Sequence, residues 1–241
     1  MLSINQRKYI NSLKQKKYRN QHQTFVVEGE KMVDELILSE FEIELLFVVK
    51  GAAINYSSAI ELSVDEMKSI SSLATPSNYL AVARQKTTTE KLHLKGLTLA
   101  LDNIKDPGNL GTIIRIADWF GVSQIVCSNE CVDVFNPKVI QATMGSIFRI
   151  NIVYTELNKF FIDNKGLPVY GALLEGENVY EKGFDTKNAI LLMGSESFGI
   201  NPALLPFVTN NIMIPKFGEA ESLNVAVATG VLCSLYAQKN Y

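Results

Sequence analysis

Two five-residue runs, Leu97-Thr98-Leu99-Ala100-Leu101 and Ala189-Ile190-Leu191-Leu192-Met193, set the strongest limit on the fold. Neither alternates apolar with polar, so a strand built from either is buried on both faces. Such strands belong to parallel sheets covered by helices on each side, and parallel neighbours need long crossovers. The chain supplies them. Beyond residue 97, strand-like runs at 124–127, 149–153, 168–174 and 211–214 alternate with helical spacing at 112–120, 137–144, 157–164, 202–205 and 223–236. The pattern predicts an α/β domain with a mainly parallel sheet and right-handed crossovers.

The first third follows a shorter alternation. It reads as a helix over 3–20, strands at 24–27, 43–49, 60–64 and 79–84, and helices at 31–38 and 65–73. That is a small α/β unit over residues 1–86, near the minimum size for its own core. Residues 87–96, with Thr87-Thr88-Thr89-Glu90-Lys91, carry no apolar periodicity and read as a linker, leaving 97–241 as the larger domain.

Charge is uneven along this plan. Arg7, Lys8, Lys14, Lys16, Lys17 and Arg19 fall in the first twenty residues, which hold no acid, while the whole chain has a formal net charge of −2. A basic arm on a near-neutral body is a local footprint for phosphates, as in RNA. Charge alone is equally consistent with a solvated helix face. Apolar residues make up 47% of the chain, enough for packed cores, yet no apolar run reaches the length of a membrane span. No apolar stretch follows the charged N-terminus, so a secretory signal is not expected. The three cysteines, Cys127, Cys131 and Cys233, form no disulfide framework and, with two distant histidines, no metal-ligand pattern. They fit a cytoplasmic protein with reduced thiols and no metal.

Ligands of open parallel sheets collect outside the carboxyl ends of the strands. Three strand-end loops here, 102–111, 194–199 and 215–224, are rich in glycine and polar residues. None is a Gly-x-Gly-x-x-Gly dinucleotide fingerprint, and no Walker lysine follows a glycine-rich turn, since Lys105 precedes its glycines. Asn109 and Arg115 lie six residues apart at the start of a helix, where free N–H groups and a guanidinium fork suit a phosphate. At the far end of the chain, Ser222 or Asn224 is placed to cap the last helix, which is apolar almost all round and so buried on more than one side.

Three segments together carry a resemblance. They are Asp106-Pro107-Gly108-Asn109-Leu110-Gly111-Thr112-Ile113-Ile114-Arg115-Ile116-Ala117, Gly194-Ser195-Glu196-Ser197-Phe198-Gly199, and Ile214-Pro215 through Ser222-Leu223-Asn224-Val225. In order and spacing the chain resembles the SpoU (TrmH) type RNA ribose 2′-O-methyltransferases of the SPOUT class, over about residues 97–241. Residues 1–86 more weakly resemble the small substrate-binding domain, similar to ribosomal protein L30e, that many members place in front.

The resemblance implies a deep trefoil knot in the C-terminal domain and a homodimer through its last helix. It implies S-adenosyl-L-methionine as cofactor, bound beside Met193, Gly194, Ile214, Ser222, Leu223 and Asn224. It assigns Arg115 to the catalytic centre, with Asn109, Glu196, Ser222 and Asn224 around it. Whether Arg115 acts as base or as phosphate clamp stays open, although a guanidinium releases its proton only with difficulty. Lys105 joins the basic arm as an RNA contact. The expected substrate is RNA, ribosomal and of the 23S class. A tRNA ribose methyltransferase, or a non-catalytic RNA-binding or ribosome-assembly factor on the same fold, are the alternatives.

Overall fold

The computed structural model describes residues 1–54, 56–86 and 94–240. Residues 87–93 of the expected linker lie outside them. The chain divides into two compact units, one of residues 1–87 with 133–149, the other of residues 88–132 with 150–241.

In the first unit, Ser3 opens α1 (Ile4–Ser12) through a reciprocal capping box with Gln6. The expected single helix over 3–20 is two, because α2 (Lys16–His22) starts anew after an extended Gln15. The break leaves the Leu13 carbonyl without a helical partner, and Arg19 Nη1 donates to it at 2.9 Å. Then follow β1 (Thr24–Glu28), α3 (Glu30–Ile37), β2 (Ile43–Val49), β3 (Ile60–Leu62), α4 (Val64–Lys68) and β4 (Tyr79–Arg84). The strands form one sheet in the order β1-β4-β2-β3, with β4 antiparallel to both neighbours and β2 parallel to β3. Ile10, Leu13, Phe47, Leu80 and Val82 fill the core on one face.

A segment from the later sequence completes this unit. Residues 133–149 contain α6 (Pro137–Thr143) and a 3₁₀ turn at Ser146–Phe148. Asp133 pairs with Arg19, the Phe135 ring lies tilted against Phe25 with centroids 4.6 Å apart, and Gln141 Nε2 donates to the Glu28 carbonyl at 2.7 Å. Sequence position had placed this segment with residues 97–241; its contacts group it with the first unit.

The second unit holds β5 (Leu97–Leu101), α5 (Pro107–Trp119), β6 (Gln124–Ser128), β7 (Asn151–Thr155), α7 (Leu157–Asp163), β8 (Val169–Asn178), α8 (Val179–Lys182), β9 (Ala189–Met193), a 3₁₀ helix (Pro202–Phe207), β10 (Asn210–Met213) and α9 (Val225–Asn240). Its six strands run β10-β8-β9-β5-β6-β7, every pair parallel. All five residues of β5 and all five of β9 are buried, as double-faced burial requires. Strand order reverses at β5, whose successors β6 and β7 lie on one side and β9 on the other. Leu101 and Met193 are register partners there, so the loops leaving β5 and β9 emerge together. This is the switch point at which an open parallel sheet offers a crevice.

Two element starts differ from expectation. α5 begins at Pro107, five residues before the expected 112, because Asp106 caps it and Pro107 takes the first helical position. α9 begins at Val225, so Asn224 and not Ser222 is the cap.

Candidate active site

Asn109 is a helical residue, not the loop residue expected. Its backbone N–H donates to Asp106 Oδ1 at 2.8 Å in the cap of α5. Its side chain points to two other loops. Asn109 Nδ2 donates to Glu196 Oε1, and Asn109 Oδ1 accepts from Asn224 Nδ2 at 2.9 Å. Asn224 Oδ1 in turn accepts from the Ala226 and Val227 amides, at 3.0 and 3.3 Å, and so caps α9. The result is one directed chain of hydrogen bonds from the Glu196 carboxylate through two amides to the N-terminus of a helix. An ionised carboxylate can only accept and a helix N-terminus can only donate. The two ends therefore dictate which way both amides face. The chain also ties together the three loops singled out by sequence.

The β9 loop is itself a tight hairpin. Ser195 and Gly199 exchange backbone bonds of 3.0 and 2.9 Å. A Cβ added at Gly194 would lie 2.1 Å from the Gly199 carbonyl carbon, so only glycine lets the two backbones pass. Asp102, at the end of β5 and 5% exposed, accepts the Asn201 N–H at 2.8 Å and fixes the far side of this loop. Burial raises the Asp102 carboxyl pKa above its ordinary value, against the lowering effect of the Asn201 bond.

Around this node Met193 is buried, Gly194 and Ile214 are partly buried, and Leu223 is half exposed. Ser222 is exposed two residues before the Asn224 cap. Residues 215–223 lie outside helices and strands, and their backbone groups make no hydrogen bonds among the described residues. Free N–H and C=O groups beside apolar side chains suit a purine ring and an amino-acid tail.

Arg115 is not part of the hydrogen-bonded chain. It lies six positions along the helix from Asn109, about 9 Å along the axis and about 120° around it. It lies on an exposed stripe with Thr112 and Trp119, the latter 82% exposed. The opposite stripe carries the buried Leu110, Ile113, Ile114 and Ala117, while Ile116 at the flank packs against Gly230 of α9.

The basic arm divides. Arg7, Lys8, Lys14, Lys16 and Lys17 are exposed, Lys14 Nζ donating to the Ser71 carbonyl at 3.1 Å and Lys17 lying over the Tyr18 ring. Arg19 is 2% exposed, with two bonds to Asp133 Oδ2 of 3.0 and 2.6 Å. It is a structural ion pair and cannot meet RNA, which corrects the expectation. Lys105 is exposed and donates to the Glu130 carbonyl. Asp106, to which the sequence reading gave no role, is the cap that sets Asn109; an Asp directly before Pro in a turn is the signal that marks it.

The sequence model described as the SpoU rRNA Methylase family matches residues 96–234, and that of the MRM3-like substrate binding domain matches residues 5–81. The chain is 34% identical over 224 residues, 90% of each protein, to the 23S rRNA (guanosine(2553)-2′-O)-methyltransferase RlmP of Bacillus subtilis. Among solved structures, a protein from Porphyromonas gingivalis assigned to the TrmH family of RNA methyltransferases superposes with a TM-score of 0.90 at 37% identity, covering 99% of both chains. An AdoMet-bound rRNA methyltransferase from Sinorhizobium meliloti gives 0.87 at 29% identity, covering 100% of this chain and 98% of that one.

Proposed function

The chain belongs to the SpoU rRNA methylase family, and from that premise we propose that it transfers a methyl group from S-adenosyl-L-methionine to a ribose 2′-hydroxyl of ribosomal RNA, in the 23S class of its Bacillus relative. The observation that carries the reading is the directed chain Glu196–Asn109–Asn224, which closes three strand-end loops around one node at the sheet's switch point.

The bound cofactor supplies an activated methyl group on a sulfonium. The protein's own residues do the rest. Backbone groups of residues 194 and 214–224 hold the nucleoside, flanked by Met193, Ile214 and Leu223. Glu196, Asn109 and Asn224 keep the two cofactor loops at fixed spacing, and Ser222 offers a hydroxyl at their mouth. Arg115 grips a phosphate next to the target ribose with its planar fork and holds the hydroxyl in line, where orientation supplies much of the rate. A guanidinium keeps its proton, so the hydroxyl proton leaves to phosphate or solvent.

Arg115 serves the site of a second copy in a homodimer. Its displacement around α5 from Asn109 supports this, as do the half-exposed Leu223 and Val227 and the exposed Trp119, apolar surface that a partner would cover. A trefoil knot belongs to the same reading. Its support is that β10 sits at the sheet edge while α9 packs on α5, so residues 214–224 must cross the ends of β8 and β9 beside the 194–201 loop. Arg7, Lys8, Lys14, Lys16, Lys17 and Lys105 take the RNA backbone. A cytoplasmic location fits the reduced, buried cysteines, and among the described residues no helix is long and apolar enough to cross a membrane.

Radiolabelled methyl transfer to ribosomal RNA, followed by primer-extension mapping of the 2′-O-methyl position, tests the assignment. Label on a base, or none on any ribose, would defeat it. The clamp role makes its own prediction. Arg115→Lys keeps charge and loses the fork, and kcat falls on the order of 100-fold, the scale of a misplaced reactant. Wild-type turnover in that variant would exclude bidentate gripping.

A further inference from the structure

The loop that delivers α5 to the site, residues 102–106, rests on the turn that follows β6. Asn103 N–H donates to Ser128 Oγ at 3.0 Å, and Val132 N–H donates to the Ile104 carbonyl at 2.8 Å. Between them stands one sulfur. Cys131 Sγ accepts the Ile104 N–H at 3.3 Å and donates to the Leu101 carbonyl at 3.3 Å. It thus spans both ends of the bend by which the chain leaves β5. Neither Ile104 nor Cys131 is reached by solvent to any extent, at 0% and 4% exposure. The bend needs holding, because Asn103 sits at φ +58°, a left-handed conformation that costs free energy for any residue with a Cβ. Asp106 follows Ile104 by two residues and Asn109 by five. Whatever fixes the bend fixes where the Asn109 amide meets Glu196 and Asn224.

We propose that Cys131 is a positioning residue for methyl transfer, its thiol bridging Leu101 and Ile104 so that the β5–α5 bend presents Asn109 to the two cofactor loops. The role rests on the methyltransferase reading above. It uses the sulfur as a hydrogen-bonding wedge and involves no covalent chemistry.

Two substitutions separate bonding from packing. Cys131→Val fills the space and removes both bonds, whereas Cys131→Ser keeps a donor and acceptor. Methyl transfer to ribosomal RNA and amide hydrogen exchange at Ile104 are measured on the full chain for both. The valine variant loses on the order of tenfold in kcat, with the KM for S-adenosyl-L-methionine within about twofold of wild type, and its Ile104 amide exchanges faster. The serine variant recovers most of kcat and the slow exchange. Wild-type kcat in the valine variant, or equal loss in both variants, would overturn the proposal. A wild-type protein that transfers no methyl would instead count against the function, while exchange at Ile104 still reports on the wedge.

Discussion

Arg19 and Lys17 sit two positions apart in one basic stretch and meet opposite fates. Lys17 is exposed, while Arg19 turns inward, donates to the Leu13 carbonyl and binds Asp133. Removing one partner of a buried pair strands the other charge, so Arg19→Ala is expected to cost about 3 kcal/mol in urea unfolding. A surface lysine such as Lys17→Ala should change stability by under about 0.5 kcal/mol. Charge counting could not see this distinction, because the partner acid lies 114 residues away. The converse holds at Asp102, whose carboxyl burial holds above its ordinary pKa. A carboxyl raised in the fold is worst placed when ionised, so its destabilisation grows as pH rises through the folded pKa and vanishes in acid. Asp102→Asn keeps an acceptor for Asn201 without the charge. It should gain stability at neutral pH, and the gain should shrink toward about pH 4 in unfolding titrations. Asn109, Glu196 and Asn224 were legible as a set only through the resemblance. Their residue types allow a hydrogen-bonded chain, but nothing in spacing alone brings positions 109, 196 and 224 to one point.

Strands were the most legible elements. Residues 43–49, 79–84, 97–101 and 189–193 form strands with the limits read from their apolar runs, because runs of five to seven mostly apolar residues between turn signals are too short for a helix. Helix starts were less so. The turn residues Asp106-Pro107-Gly108 read as loop, although Asp before Pro also begins helices, and here it does. The early start matters for function, since it turns Asn109 from a free loop residue into one carried on a helix. Asp106→Ala therefore tests an element and a site together. Loss of the cap should lower stability by about 1 kcal/mol, read from the urea midpoint. Methyl transfer should fall by more than that loss of folded protein explains, because Asn109 loses its fixed base. The break between α1 and α2 had no comparable signal: polar residues fit either a loop or an exposed helical turn, and only the Arg19 bond to Leu13 shows which was chosen.

At the scale of the whole molecule, pairing was expected from the sequence only through the resemblance and its apolar last helix. The case for two copies comes from geometry in one. Asn109 and Arg115 share a helix, yet the first meets Glu196 and Asn224 while the second stands on the exposed stripe about 120° away. In the proposed homodimer the arginine comes instead from a partner related by two-fold symmetry. Mixing two inactive proteins decides this. In a heterodimer of Arg115→Ala and Asn109→Ala chains, one site combines an intact Asn109 with the partner's intact arginine, and the other site lacks both. Random exchange makes half the dimers mixed, so co-refolded or co-expressed chains should regain about a quarter of wild-type activity. Were Arg115 to act within its own chain, every site in the mixture would carry one lesion and activity would stay at the level of the single variants. Recovery would also have to fall on dilution below the dimer dissociation constant, tying the reaction to the pair rather than to the single fold.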